Sequence, residues 1–320
     1  MAMLSLQARG YLPVATATLC PQTVMACDLY LQRRGCAFVE LYRSARVPLT
    51  DADIQKLRGD GIEQLYIRLE EAEAYRDYLC QHVIHDPDVP ATVRMRALAE
   101  VTRVAFQDAL VANQCDGMVA AAEQFGQSLT GILAERSLQF SELYSTLAHD
   151  YYTFTHVCNV SVYCTMIGQL LGMSDLEELA ALASAALLHD IGKRHIPAHI
   201  LNKRGKPTDA EWDLIRQHPT TGFRELVARG DLQWSQLMVV YQHHERLDGH
   251  GYPCGLTAHD IDPWARICAV ADVFDALTCQ RPYRPPVPVA EVCDHLESFA
   301  GQRFDPQVVA AWCSHVRSRA

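Results

Sequence analysis

The chain carries 14 histidines, and ten of them lie between His149 and His259. Whatever imidazole chemistry the protein performs therefore belongs to its second half. Leu187-Leu188-His189-Asp190-Ile191-Gly192-Lys193 sets an imidazole and a carboxylate side by side at the end of an apolar stretch that hydrophobic residues would normally finish. A buried carboxylate is costly unless it is paired or coordinated, so the His189-Asp190 pair reads equally as a structural hydrogen bond or as part of a metal site. The run Tyr241-Gln-His-His-Glu-Arg-Leu-Asp-Gly-His-Gly-Tyr-Pro253 shifts that balance. On a helix, adjacent His243 and His244 point about 100° apart, too divergent for one core-facing stripe but able to reach a shared centre. Two clustered ions could use both rings. Glu245 and Asp248 suit acceptors that secure a glycine-rich turn, and Asp248-Gly249-His250-Gly251 can bring backbone close to a ligand. Lys193, one turn after the pair, suits a phosphate oxygen or a leaving group; a plain lysine at a helix end, where cations are favoured, is the simpler alternative.

These residues need elements to carry them. After the breaker-rich junction His85-Asp-Pro-Asp-Val-Pro90, apolar periodicity predicts helices over 93–112, 118–134, 142–171, 176–189, 211–217, 221–228, 235–246, 263–278, 289–300 and 306–316. Thr208-Asp-Ala-Glu211 has the form of a capping box. Before the junction, strands are expected at 29–32, 38–42 and 64–69 and helices from Asp51 and Glu70, the first capped by Thr50. The expected fold class is mainly α: an all-helical domain over 139–320, a helical connector over 86–138 and a small mixed α/β domain over 1–85, regulatory or sensory in role. The long helices of the connector suit a homodimer seam or ordinary packing.

A formal charge of −10, 49% apolar and 21% charged residues describe a globular composition and disfavour a nucleic-acid-coating role. No apolar run reaches the ~18 residues of a membrane span, and the start lacks a secretion signal, so a cytoplasmic protein with no membrane partner is expected. The 12 cysteines form no Cys-x-x-Cys pair, and Cys158, Cys164, Cys268, Cys293 and Cys313 read as reduced core residues. Trp212, Trp234 and Trp264 read as packing anchors. His149, His195, His199 and His250 read as solvated.

From Glu142 to Phe304 the chain resembles the HD-GYP phosphodiesterases, members of the HD metal-hydrolase superfamily. The resemblance rests on His189-Asp190 with Ile191-Gly192-Lys193, Ile196-Pro197 with Ile200-Leu201, His218-Pro219 with Gly222, His243-His244-Glu245-x-x-Asp248-Gly249-x-Gly251-Tyr252-Pro253, and Ala271 to Thr278 running into Arg281-Pro282-Tyr283-Arg284. It implies an HD-type helical fold and a pair of divalent cations, iron or manganese. His156, His189, Asp190 and Asp272 would hold one ion, and His218, His243 and His244 the second, with Asp190 as the catalytic bridge. Some relatives place a glutamate one turn before the first histidine to hold a third ion. Here that position is Tyr152, which favours two.

The implied reaction is hydrolysis of cyclic di-GMP to pGpG, and onward to GMP, by in-line attack of a metal-bridging hydroxide. Because the net charge opposes an anionic substrate, local cations must recruit it. Lys193 is given catalytic and substrate roles, and Tyr252, Asp275, Arg281 and Arg284 are expected at the substrate, with a structural hydrogen bond to the neighbouring loop reading equally well for Asp275. The Gly251-Tyr252-Pro253 loop is implied as a contact for diguanylate cyclase domain proteins. Another cyclic or linear dinucleotide, 3′,3′-cyclic GMP-AMP or pGpG, or a noncatalytic receptor role, would fit the same motifs.

Overall fold

The computed structural model describes residues 10–33, 38–135, 144, 147, 153–201, 203, 205–280 and 285–318. Residues 1–101 and 102–320 form two compact units.

The first unit holds an antiparallel sheet of order β1-β4-β2-β3, made of β1 (Tyr11–Ala15), β2 (Leu29–Gln32), β3 (Val39–Arg43) and β4 (Gln64–Arg68). Strand β1 has no counterpart in the sequence-based expectation. It contains Pro13, which would argue against a central strand, but an edge strand tolerates a residue that cannot donate to the ladder. Helix α1 (Asp51–Gly59) opens on the Thr50–Asp53 capping box and buries Ile54 and Leu57. Residues expected as one helix from Glu70 form a 3-10 turn, helix α2 (Ala72–Leu79) and a π turn over Cys80–Ile84.

Helix α3 (Ala91–Val111) leads into the second unit, where α4 (Cys115–Glu135), α5 (Thr153–Leu170) and α6 (Leu176–Leu188) pack on one another. Gly126 lets α4 approach α6 closely: a Cβ there would meet Ala180 O at 2.3 Å. Helix α6 starts on the Asp175 cap and buries Leu179, Leu182, Leu187 and Leu188. Each such leucine contributes roughly 2 kcal/mol of transfer free energy, which lets the same helix end in polar, buried His189 and Asp190. Helices α7 (Asp209–Ile215), α8 (His218–Val227), α9 (Trp234–Gln242), α10 (Pro263–Thr278), α11 (Val289–Ser298) and α12 (Pro306–Arg317) complete the unit.

Helix α10 begins where expected, because Asp262 accepts from Trp264 N at 2.8 Å and Pro263 occupies the first turn, where its missing N–H costs nothing. The core gathers around Tyr163, Phe274 and Trp312, whose ring centroids lie 5.2–5.3 Å apart. Of the tryptophans expected as packing anchors only Trp264 is buried; Trp212 and Trp234 are 44% and 66% exposed. The five cysteines expected in the core are buried there.

Candidate metal centre

Four helix ends and one helix interior converge at one place. His156 projects from α5; His189 caps α6, with Asp190 opening the 3-10 turn Ile191–His195; His218 begins α8; His243 and His244 follow α9; Asp272 projects from the middle of α10. The helix expected to run to Arg246 stops at Gln242. Glu245 draws the chain away by accepting from the backbone N–H groups of Cys254, Gly255 and Leu256 at 2.6, 3.1 and 3.0 Å. His243 and His244 thus leave a turn rather than a helix, and their ring centroids are 4.1 Å apart.

Ligand-capable atoms fall into two groups, Asp190–His218–His243–His244 and His156–His189–Asp272, each within 4.8 Å. Asp190 joins them. Its Oδ1 lies 3.2 Å from His218 Nε2 and 3.7 Å from His243 Nε2, while Oδ2 lies 3.3 Å from His189 Nε2 and 4.0 Å from His156 Nε2. Lys193 Nζ donates to the same Oδ2 at 2.5 Å. The backbone decides which imidazole nitrogen faces inward. Nδ1 of His189, His218 and His243 lies 2.6, 2.7 and 3.1 Å from the carbonyls of Ala186, Ile215 and Val239, so each Nδ1 carries the proton and donates. The Nε2 atoms are left to point at one another, as lone pairs wherever no second proton is held. His218 Nε2 and His243 Nε2 stand 3.2 Å apart, and His189 Nε2 and Asp190 Oδ1 are buried with no hydrogen-bond partner among the described residues. Converging, desolvated acceptors repel unless a cation lies between them, so these residues fit divalent metal.

Asp275 and Asn159, neither assigned a ligand role on sequence, stand behind His156. Asp275 Oδ2 accepts from His156 Nδ1 at 2.7 Å and its Oδ1 accepts from Asn159 Nδ2 at 2.8 Å. Asp275 is 0% exposed, which favours the structural of its two sequence readings: its carboxylate orients the His156 ring. Partners of this kind change metal affinity by about 10–100-fold. Asp275→Asn is expected to weaken metal binding by that factor while the fold persists, as chelator competition and circular dichroism would show.

Burial opposes charge on His156, but its bonds to Asp272 and Asp275 outweigh this and raise its pKa to about 9. Burial likewise opposes charge on His189, and the Asp190 charge more than offsets it, again raising the pKa to about 9. Burial, helped by the neighbouring His189 and His218 and opposed by Asp190, takes His243 down to about 4. Despite burial, Lys193 and His189 hold Asp190 well below the usual carboxylate range. Below the ordinary imidazole pKa of 6.5, the raised values of His156 and His189 contribute stability to the metal-free protein in full, and this contribution is lost as pH rises through about 9. Metal must displace those protons. Metal affinity is therefore expected to climb steeply from pH 7 to 9 and then level off, with proton release detectable by calorimetry in buffers of different ionisation enthalpy.

Tyr252 borders the centre, its ring centroid 4.7 Å from that of His244 and 5.1 Å from Arg216 Cζ, a cation–π contact that sequence reading missed. Gly251 is required here: a Cβ would meet Arg246 N and Glu245 Cα at 2.4 Å. Asp248 accepts from His250 N at 3.1 Å within the loop. His195 pairs with Glu225 at 2.9 Å, while His199 and His250 are exposed; none of the three reaches the centre. Arg281, Arg284, Tyr152 and His149 lie outside the described residues.

The family model described as "HD domain" matches residues 127–308. A cyclic di-GMP phosphodiesterase of Pseudomonas aeruginosa is 32% identical over 286 residues, 83% of this chain and 68% of that protein. A cyclic di-GMP phosphodiesterase of Thermotoga maritima is 40% identical over 165 residues, 51% of this chain and 44% of that one. The 3′3′-cGAMP-specific phosphodiesterase 2 of Vibrio cholerae is 36% identical over 165 residues, 51% of this chain and 31% of that one. The chain thus spans about two thirds of the first of these relatives and under half of the other two. In fold it is similar to an HDG"Y"P protein of Bdellovibrio bacteriovorus, with TM-score 0.67 at 18% identity over 96% of this chain and 99% of that one. With His189-Asp190 at the centre and Gly251-Tyr252-Pro253 at its border, the chain belongs to the HD-domain family, in its HD-GYP branch.

Proposed function

We infer that this protein is a metal-dependent phosphodiesterase that hydrolyses cyclic di-GMP to pGpG, and onward to GMP. The observation that carries the reading is the convergence of five imidazoles and two carboxylates, with the outward nitrogens of His156, His189, His218 and His243 held by Asp275 or by backbone carbonyls and the inward nitrogens facing Asp190. The names of the Pseudomonas and Thermotoga relatives support the substrate. His156, His189 and Asp272 would hold one cation and His218, His243 and His244 the other, with Asp190 shared. The donors are nitrogen and oxygen with no thiolate, which suits iron or manganese. When bound, such a pair supplies an activated water and charge for the attacking and leaving oxygens of an in-line displacement.

The chain's own groups do the rest. Asp190 presents one oxygen to each ligand group. Lys193, its side chain 23% exposed and held at 2.5 Å by Asp190, offers a phosphate oxygen an ammonium at the boundary between centre and solvent. Tyr252 borders the centre beside His244, and Arg281 and Arg284 are proposed to grip phosphate bidentately. Residues 1–85 are proposed as the regulatory part, 86–138 as connector and homodimer seam, and the Gly251-Tyr252-Pro253 loop as the contact for diguanylate cyclase domain proteins. Among the described residues no helix is long and apolar enough to cross a membrane.

Chromatography after incubating iron- or manganese-loaded protein with cyclic di-GMP, 3′,3′-cyclic GMP-AMP and pGpG tests the reading. Conversion of cyclic di-GMP to pGpG supports it. Preferential cleavage of the mixed dinucleotide, the activity named for the Vibrio relative, would redirect it, and binding without turnover would leave a receptor.

A further inference from the structure

The second unit contains a cavity of about 370 Å³ whose lining includes Asp190 and Lys193 but, among the described residues, none of the five imidazoles. Its walls are mainly apolar. Phe106 and Leu110 from α3, Phe154 from α5 and Leu201 form them, and the Phe106 and Phe154 rings lie 5.7 Å apart at 54°. Leu110 and Leu201 are 48% and 43% exposed although they border the same space. Leucines left wet around a concave surface, instead of being packed into the adjacent core, mark a ligand surface. The volume falls in the ~300–1,000 Å³ range of small-molecule pockets.

We propose that this cavity is a nucleobase subsite, which takes one purine ring of the dinucleotide against Phe106 and Phe154 and leaves its phosphate at Lys193. The inference rests on the phosphodiesterase reading and deepens it. An occupant that reaches from Lys193 into this cavity must join an anion to a flat apolar body, and a nucleotide does so through one short linker. An acyl chain would satisfy the walls but not the aromatic pair or the shared Asp190. Gln107 stands on the rim, where its Oε1 accepts from Arg103 Nη1 at 2.7 Å, leaving its amide N–H donors for a base edge. The base thus anchors one end of the substrate while the metal centre works on the phosphodiester. Burying one ring here offsets the long-range repulsion from the chain's net charge of −10.

One base on an aromatic face changes binding by about 5- to 150-fold. Phe106→Ala is therefore expected to raise the KM for cyclic di-GMP about ten-fold or more, with the effect absent from kcat and from metal content; Phe106→Tyr should restore the wild-type KM. Leu110→Glu, at a half-exposed position that tolerates a charge, should raise KM as well. Equilibrium dialysis of GMP against ribose 5-phosphate isolates the base from the phosphate. The wild type should hold GMP at least about five-fold more tightly, and Phe106→Ala should erase that difference. Unchanged KM in both variants, or equal affinity for the two monophosphates, would overturn the subsite. Failure of the wild type to cleave any cyclic dinucleotide would instead overturn the phosphodiesterase reading, and the dialysis would still decide whether a base binds.

Discussion

Asp190→Ala is expected to leave the protein without measurable hydrolysis and without tightly held metal. Asp190 reaches into both ligand groups, with Oδ1 3.2 Å from His218 and Oδ2 3.3 Å from His189, whereas Asp272, 3.1 Å from His156, approaches His244 of the other group only to 3.9 Å. Without it, five imidazoles face a centre with only Asp272 to counter a cation's requirement for anionic donors. Lys193 also loses its 2.5 Å partner. Removing one member of a buried charge pair costs about 3–5 kcal/mol. The cost should sit at the lower edge, because His189, whose pKa Asp190 raises to about 9, can release its proton instead of remaining charged and unpaired. Asp190→Asn separates the two effects: the amide preserves shape but not charge, so it should lose metal and activity while keeping most of the stability. Elemental analysis, chromatography and thermal unfolding read the three quantities. A full metal complement in the alanine variant would show that Asp190 is no bridge.

Gly192→Ala should be nearly as damaging although it adds one methyl group and removes no ligand. A Cβ at this position would lie 2.0 Å from His218 O, 2.9 Å from His218 C and 2.7 Å from Gly222 N, all backbone atoms that no rotamer change can move. Relief requires the 3-10 turn to part from helix α8. Those two elements carry Asp190 and His218, so the parting opens the 3.2 Å contact between them. Overpacking of this kind costs about 1–3 kcal/mol, a fall in Tm of roughly 2–4 °C for each kcal/mol in a domain of this size. Metal bound to the His218 side should fall with it. Gly205→Ala is the control, because a Cβ there meets nothing within 4 Å; equal behaviour of the two variants would show that the close approach is not required.

Local signals in the chain carried a good deal of this. The caps at Thr50 and Thr208 work over three or four residues, so the starts of α1 and α7 could be placed from sequence to within about two residues. Helix ends were harder. The one after Gln242 depends on Glu245 reaching Cys254, Gly255 and Leu256, a contact across nine to eleven positions that no periodicity encodes. Strand β1 was hidden for the opposite reason: Pro13 argues locally against a strand, and only its place at the sheet edge makes it harmless.

At the centre, His189, Asp190, His243 and His244 were legible because His-Asp and His-His pairs interrupt stretches whose periodicity calls for apolar side chains, whereas His156, His218 and Asp272 were implied only by the resemblance to the HD-GYP family. Their direction was not legible. Which imidazole nitrogen faces inward is set by the carbonyls of Ala186, Ile215 and Val239. The place of Asp275 behind His156 is set by the packing of α10 on α5, which joins residues 119 positions apart. The cavity between Phe106, Phe154 and Lys193 likewise exists only once α3, α5 and the 3-10 turn are assembled. Residue type and local spacing determine what chemistry a side chain can do, whereas lone-pair direction, close backbone approach and enclosed volume arise from contacts between distant segments, and those only the tertiary structure decides.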